Sequence, residues 1–165
     1  ALNLDGNSWA EVHDNASLDM TDAITLEAWV QNSDEDNKGI LGRWFSGTAC
    51  YMLYKPAADN NFNFYINSNY VTSGTVTARD WHHVVGVYDG TTKKIYVNGV
   101  EEGSSAETAT INTSSDPIEI GRFYGGPDTR TLANQLAQPR IYNRALTAEE
   151  VQRNYNAGKN IYTNS

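Results

Sequence analysis

Residues 81–99 read Trp81-His82-His83-Val84-Val85-Gly86-Val87-Tyr88-Asp89-Gly90-Thr91-Thr92-Lys93-Lys94-Ile95-Tyr96-Val97-Asn98-Gly99. Val85 and Val87 alternate with Val84, Gly86 and Tyr88, which is the two-residue period of a pleated strand. Asp89-Gly90-Thr91-Thr92 is a polar turn with a glycine for positive φ, and Lys94–Val97 follows as the returning arm of a hairpin. Asn98-Gly99 marks another tight reversal, the strongest short hairpin signal in the chain.

The same alternation recurs on both sides of this stretch. Ile24, Leu26, Ala28 and Val30 alternate with Thr25, Glu27, Trp29 and Gln31, and Phe62, Phe64 and Ile66 with Asn63, Tyr65 and Asn67. Shorter strands are predicted at Leu2–Leu4, Trp9–Val12, Ile40–Arg43, Cys50–Tyr54, Ile118–Arg122 and Gln135–Tyr142. About ten short strands, with turn signals roughly every 8–12 residues, specify a sandwich, barrel or jelly roll. One helix is written near the end. Thr147 as N-cap and Glu150 three residues on form a capping box, and Leu146 and Val151 are spaced as a hydrophobic staple. Val151 and Tyr155 share a face, and Gly158 reads as the C′ terminator of a helix of about ten residues. The expected organisation is one domain over residues 1–158, followed by a tail or linker at 159–165.

Composition narrows the function classes. The chain has 165 residues, one domain's worth, and its single cysteine, Cys50, excludes an internal disulfide framework or a zinc site of the CxxC type. Twenty acidic against twelve basic residues leave a net charge of −8, which argues against nucleic acid or an anionic membrane as partner. No apolar run approaches the roughly 20 residues of a membrane helix, so no membrane insertion is expected. Asn and Thr make up about a fifth of the residues, with ten tyrosines and thirteen glycines. Such a composition suits half-exposed strands and their turns, and points to a secreted, extracellular all-β domain whose signal peptide is absent from this sequence. Nothing in it demands more than a monomer.

Three stretches, taken together, resemble the laminin-G-like jelly roll of the concanavalin-A-like lectin/glucanase superfamily. They are Leu4-Asp5-Gly6 through Val12 with Ile24–Val30; Trp81–Gly90 with Ile95–Gly99; and Arg140–Val151. Their order and spacing cover nearly the whole chain. The resemblance implies an all-β fold of two antiparallel sheets packed as a sandwich (a jelly roll), with one short C-terminal helix. It also implies a non-catalytic module of a secreted multidomain protein, often with a structural calcium ion. In this family an acidic residue usually stands two or three positions before the Arg-Ile-Tyr block; here Ala137 and Gln138 occupy them. Asp5, Asn7 and backbone carbonyls are left as candidate calcium ligands, and one structural Ca2+ is the cofactor the resemblance implies.

Catalysis finds no support in the residue pattern. The superfamily's retaining hydrolases place alternating carboxylates on one strand, about 5–5.5 Å apart, and no strand here has them. Asp34-Glu35-Asp36 reads as a solvated loop, and the rings of His82 and His83 fall on opposite faces of a strand, with structural packing expected beside Trp81. Sugar binding needs an aromatic platform rimmed by hydrogen-bonding groups. If Ile24, Leu26, Ala28 and Val30 face the core, then Glu27 and Trp29 face outwards, as do Asn63 and Tyr65 by the same parity. Arg43 and Trp44, with Tyr124 and Asp128 in the Gly-rich segment 121–130, are loop candidates. The expected function is a carbohydrate-binding module that anchors its parent to a poly- or oligosaccharide. The alternative is a protein–protein, adhesion or surface-assembly module of the same fold, with a protein partner. Packing is the competing role for Trp29, because its equivalent is widespread in the family.

Overall fold

The computed structural model describes residues 1–31, 37–45, 48–56, 60–123, 130–133 and 135–163. Fourteen strands run in the order β1 (Leu2–Asn3), β2 (Ala10–Val12), β3 (Ile24–Gln31), β4 (Lys38–Phe45), β5 (Thr48–Lys55), β6 (Asn63–Ile66), β7 (Asn69–Thr72), β8 (Trp81–Tyr88), β9 (Thr92–Val97), β10 (Val100–Ala106), β11 (Ile118–Ile120), β12 (Arg122–Phe123), β13 (Arg130–Thr131) and β14 (Gln135–Tyr142). One helix, α1 (Ala148–Tyr162), follows them. The first six-stranded sheet has the order β1-β14-β3-β8-β9-β10 and the second β2-β11-β4-β5-β6-β7, with β12 and β13 as a separate ribbon. Every pairing within the two large sheets is antiparallel. The fold is therefore the expected antiparallel sandwich.

Alternation decides what fills the space between the sheets. Ile24, Leu26, Ala28 and Val30 of β3 lie in one core with Phe62, Phe64 and Ile66 from the second sheet, all but fully buried. The parity read from the sequence is correct at both strands. It also sends Glu27, Trp29, Val85 and Val87 to the outer face of the first sheet, in register between β3 and β8. That face is not left to solvent.

The helix covers it. Thr147 and Glu150 form the capping box, with Thr147 N donating to Glu150 Oε2 at 2.9 Å, and Leu146 and Val151 pack together on Val85, Val87 and Tyr96. The helix is longer than its sequence signals: it has 15 residues and runs through Gly158 to Tyr162. Gly158 is not the terminator but the point of closest approach. A Cβ there would lie 2.7 Å from the indole Nε1 of Trp29. A residue expected to end the helix instead lets it sit down on the sheet. The expected tail is corrected as well, since Lys159–Tyr162 are helical and the Tyr162 ring lies tilted against Trp29 with centroids 4.8 Å apart.

Candidate functional site

Cross-strand partners in an antiparallel sheet carry their side chains on the same face. The register of the second sheet thus lines up Glu11, Glu119, Gly42, Met52, Tyr65 and Tyr70 in one row across its outer face. Tyr54, Asn63 and Thr72 form the neighbouring row. Trp44, at the end of β4, sets its ring edge-on to Tyr65 at 5.1 Å and to Phe123 at 5.7 Å. Tyr54 stands edge-on to Phe123 at 5.7 Å, and Tyr65 lies against Tyr70 at 4.9 Å. Phe123 reaches this group because β12 crosses over β4 at Gly39, where a Cβ would collide with Arg122 O at 2.2 Å. Edge-to-face contacts of this kind hold the rings in fixed orientations.

The cluster is half open. Met52, Tyr54 and Phe123 are buried, Trp44 and Tyr65 are half-buried, and Tyr70 is 53% exposed. Polar groups border it: Tyr54 donates to Asn37 Oδ1 at 2.7 Å, and the buried Asn63 Oδ1 has no hydrogen-bond partner among the described residues. Burial pushes the Tyr65 hydroxyl above its ordinary pKa, against a lowering hydrogen bond from Asn63, so the phenol stays neutral. At the opposite edge of the same face, Arg122 lies 4.0 Å above the ring of Trp9, itself 41% exposed, and pairs with Glu119 at 3.3 Å. The face therefore offers flat apolar area between hydrogen-bonding rims.

Of the residues expected to form a site, Trp44, Asn63 and Tyr65 come together here. Tyr54, Tyr70 and Phe123 join them and were missed. The signal for Tyr70 was present: Asn67-Ser68 between Ile66 and Asn69 is a hairpin turn, with Asn67 at φ +51°, and it places β7 and its tyrosine beside β6. Tyr124, Asp128 and the cluster Asp34-Glu35-Asp36 lie outside the described residues.

Arg43 does not belong to the surface. It is fully buried at the inner side of β4, donating to Asp14, to Asp19 Oδ1 at 2.7 Å and to Asp116 O at 2.8 Å. Its guanidinium pins the segment after β2 to the sandwich. A cation desolvated this way needs close partners, and two carboxylates and a backbone carbonyl supply one to each of its three nitrogens.

Glu27 and Trp29 also lie away from solvent, both at 0% exposure. Their outward parity is correct, but α1 occupies the space in front of them. Trp29 is held between Tyr155 at 5.7 Å and Tyr162 at 4.8 Å. Glu27 accepts hydrogen bonds from Arg140 Nη1 at 2.7 Å, Tyr142 Oη at 2.9 Å and Asn154 Nδ2 at 2.9 Å, with His83 Nε2 at 3.1 Å. Burial alone would raise the Glu27 pKa; the contacts from His83, Tyr142 and Arg140 outweigh it and hold the carboxyl below its ordinary value. Asn154 belongs to α1, so this network bonds the helix to the sheet. His82 takes the other side of β8, against Phe62, as the alternation predicts.

The candidate calcium ligands build a turn. Asp5 Oδ1 accepts from Asn7 N at 2.9 Å and from Ser8 Oγ at 2.6 Å. Ala137 is buried opposite Trp29, and Gln138, at φ +49°, bonds to Arg140 and to the Tyr162 hydroxyl. No group of three or more His, Cys, Asp or Glu able to hold a metal occurs among the described residues.

Comparison with solved structures places this architecture. A protein of Bacteroides ovatus ATCC 8483, provisionally called carbohydrate binding, superposes with a TM-score of 0.71 at 21% identity, over 88% of this chain and 43% of its own. The binding domain of Paraclostridial Mosquitocidal Protein 1 gives a TM-score of 0.71 at 17% identity, over 93% and 42%. Botulinum neurotoxin type C, whose cell entry depends on interaction with two ganglioside molecules, gives 0.66 at 14%, over 89% and 39%. The chain spans less than half of each of these proteins. No curated protein sequence matches it significantly. A family model, described as the concanavalin A-like lectin/glucanases superfamily and of the laminin G type, matches residues 4–152. By that match and by its two-sheet sandwich, the chain belongs to the concanavalin A-like lectin/glucanases superfamily.

Proposed function

We propose that this chain is a non-catalytic carbohydrate-binding module, and that the outer face of its second sheet receives the glycan. The observation that carries the reading is the half-open cluster of Trp44, Tyr54, Tyr65, Tyr70 and Phe123, with polar groups at its borders. Pyranose rings have apolar faces and hydroxyl edges, so fixed aromatic rings supply contact area and the rim sets orientation. The names of two similar structures, one carbohydrate binding and one dependent on gangliosides, support the same ligand class. The carboxylates Glu11 and Glu119 face each other across β2 and β11, but Trp9 Nε1 donates to the first at 3.4 Å and Arg122 pairs with the second. A general acid needs a carboxyl kept protonated by apolar surroundings; an adjacent guanidinium does the opposite. The module holds a secreted multidomain parent on its glycan, with avidity from neighbouring modules.

Affinity electrophoresis in gels containing soluble polysaccharides tests the reading. Retardation on one polysaccharide class is expected, lost in Trp44→Ala and Tyr70→Ala, retained in Arg153→Ala on α1, and unchanged by chelator. A folded protein that no polysaccharide retards would overturn it and leave the same face to a protein partner.

A further inference from the structure

A second cavity opens at the far end of the first sheet, where β3 ends, β8 begins and α1 runs out. It has a volume of about 390 Å³, within the range of roughly 300–1,000 Å³ found for small-molecule sites. Trp81 and Tyr162 form its aromatic wall, with ring centroids 4.9 Å apart, and both side chains are half-exposed. Gln31, Asp80, Asn98 and Thr163 supply carboxamide, carboxylate and hydroxyl groups around them.

The walls are fixed before any ligand arrives. The His82 ring is held at both nitrogens, Nε2 at 2.9 Å from Thr77 O and Nδ1 at 3.3 Å from Asn98 Nδ2. Asn98 Oδ1 in turn accepts from His83 N at 3.0 Å. Gln31 Nε2 donates to Arg79 O at 3.1 Å, tying the end of β3 to the turn before β8. Arg79 itself sits at φ +66°, a left-handed conformation rarely taken by a residue with a side chain. Strain of this sort, overdetermined by its surroundings, clusters where a ligand is clamped.

We infer that this cavity binds a single sugar residue, as a site separate from the outer face of the second sheet. The carbohydrate class rests on the reading above; the location does not. An aromatic wall with donors and acceptors distributed around it matches a ring bearing several hydroxyls. Arg79 and Asp80 both line the cavity and offset each other's charge, in a chain of net charge −8, so a neutral ligand suits it better than a phosphate-bearing one. Its volume suits one sugar ring with its substituents, whereas the aromatic cluster on the outer face of the second sheet spreads across neighbouring strands.

The test is a titration of the isotope-labelled protein with methyl glycosides of glucose, galactose, mannose and N-acetylglucosamine, following the four tryptophan indole N–H resonances. At least one glycoside is expected to move the Trp81 resonance and leave Trp44 in place. Asp80→Ala and Gln31→Ala should weaken that titration about tenfold, which is roughly 1.4 kcal/mol, while polysaccharide retardation is retained. Trp44→Ala should do the reverse. Absence of any shift at Trp81 across the panel would overturn the proposal, whatever the gels show. Glycoside shifts at Trp81 in a protein that no polysaccharide retards would uphold this cavity and remove the outer face.

Discussion

The two outer faces of this sandwich begin from the same sequence pattern and end differently. On β3, Glu27 and Trp29 alternate with core residues; on β6, Asn63 and Tyr65 do the same. Each strand therefore presents an aromatic and a hydrogen-bonding neighbour to the outside. On the first sheet, fifteen residues of helix then cover them, and Glu27, held on the sheet by His83, Arg140 and Tyr142, accepts from Asn154 of that helix. On the second sheet, among the described residues, β12 crosses at Gly39, and Trp44, Tyr65 and Tyr70 stay in reach of solvent. Parity states which side of a sheet a residue takes. Whether that side is a surface depends on what comes later in the chain.

The contrast is sharpest in stability. Trp29→Ala should lower the free energy of unfolding by about 3–5 kcal/mol, the range for emptying a buried aromatic site, as read by denaturant unfolding. Trp44→Ala, with its ring half-buried, should cost less than half of that. Equal losses would mean that the two faces are not differently used. Glu27→Ala should cost about 3 kcal/mol, because it strands a buried imidazole and the Asn154 amide that reaches it from the helix. A loss below about 1 kcal/mol would show that water enters and replaces the network.

Gly158→Ala sets two effects against each other. Alanine favours a helix over glycine by about 1 kcal/mol, but its Cβ has no room beside the Trp29 indole. Overpacking of about 1–3 kcal/mol should prevail, so the variant unfolds at lower denaturant. A stabilised variant would mean that α1 can lift without loss. The smallest effect concerns acid. With its folded-state pKa lowered, Glu27 adds stability that is complete above the unfolded-state value near 4.5 and is lost as pH falls through the folded one. Unfolding followed from pH 7 downwards should show a decline beginning below about 4.5 that is absent in Glu27→Gln.

The strands and their faces were readable in the sequence because alternation is local: Ile24–Val30 and Phe62–Ile66 carry their assignment within themselves. The capping box at Thr147 and Glu150 was readable for the same reason. Three things were not. Gly158 has the residue type of a helix end, and only the indole 2.7 Å from its missing Cβ explains its place inside. Arg43 stood beside Trp44 as a surface candidate, yet its partners Asp14 and Asp19 are 29 and 24 residues away, a distance no local pattern spans. Trp29 and Glu27 had the correct direction and the wrong surroundings, since their cover lies more than a hundred residues further on. Half of the cluster on the second sheet was legible for the opposite reason: nothing among the described residues comes back to cover Trp44 and Tyr65 fully.

The column of rings Tyr155, Trp29, Tyr162 and Trp81 has an optical consequence. Successive centroids lie 5.7, 4.8 and 4.9 Å apart, and the column runs from beneath the helix to the mouth of the end cavity. Aromatic groups locked in such an asymmetric array dominate near-ultraviolet circular dichroism, and the signal vanishes when packing loosens while secondary structure persists. The protein thus carries its own chromophoric gauge: two of the four rings ride on α1, so the ellipticity reads whether the helix is seated, without any label.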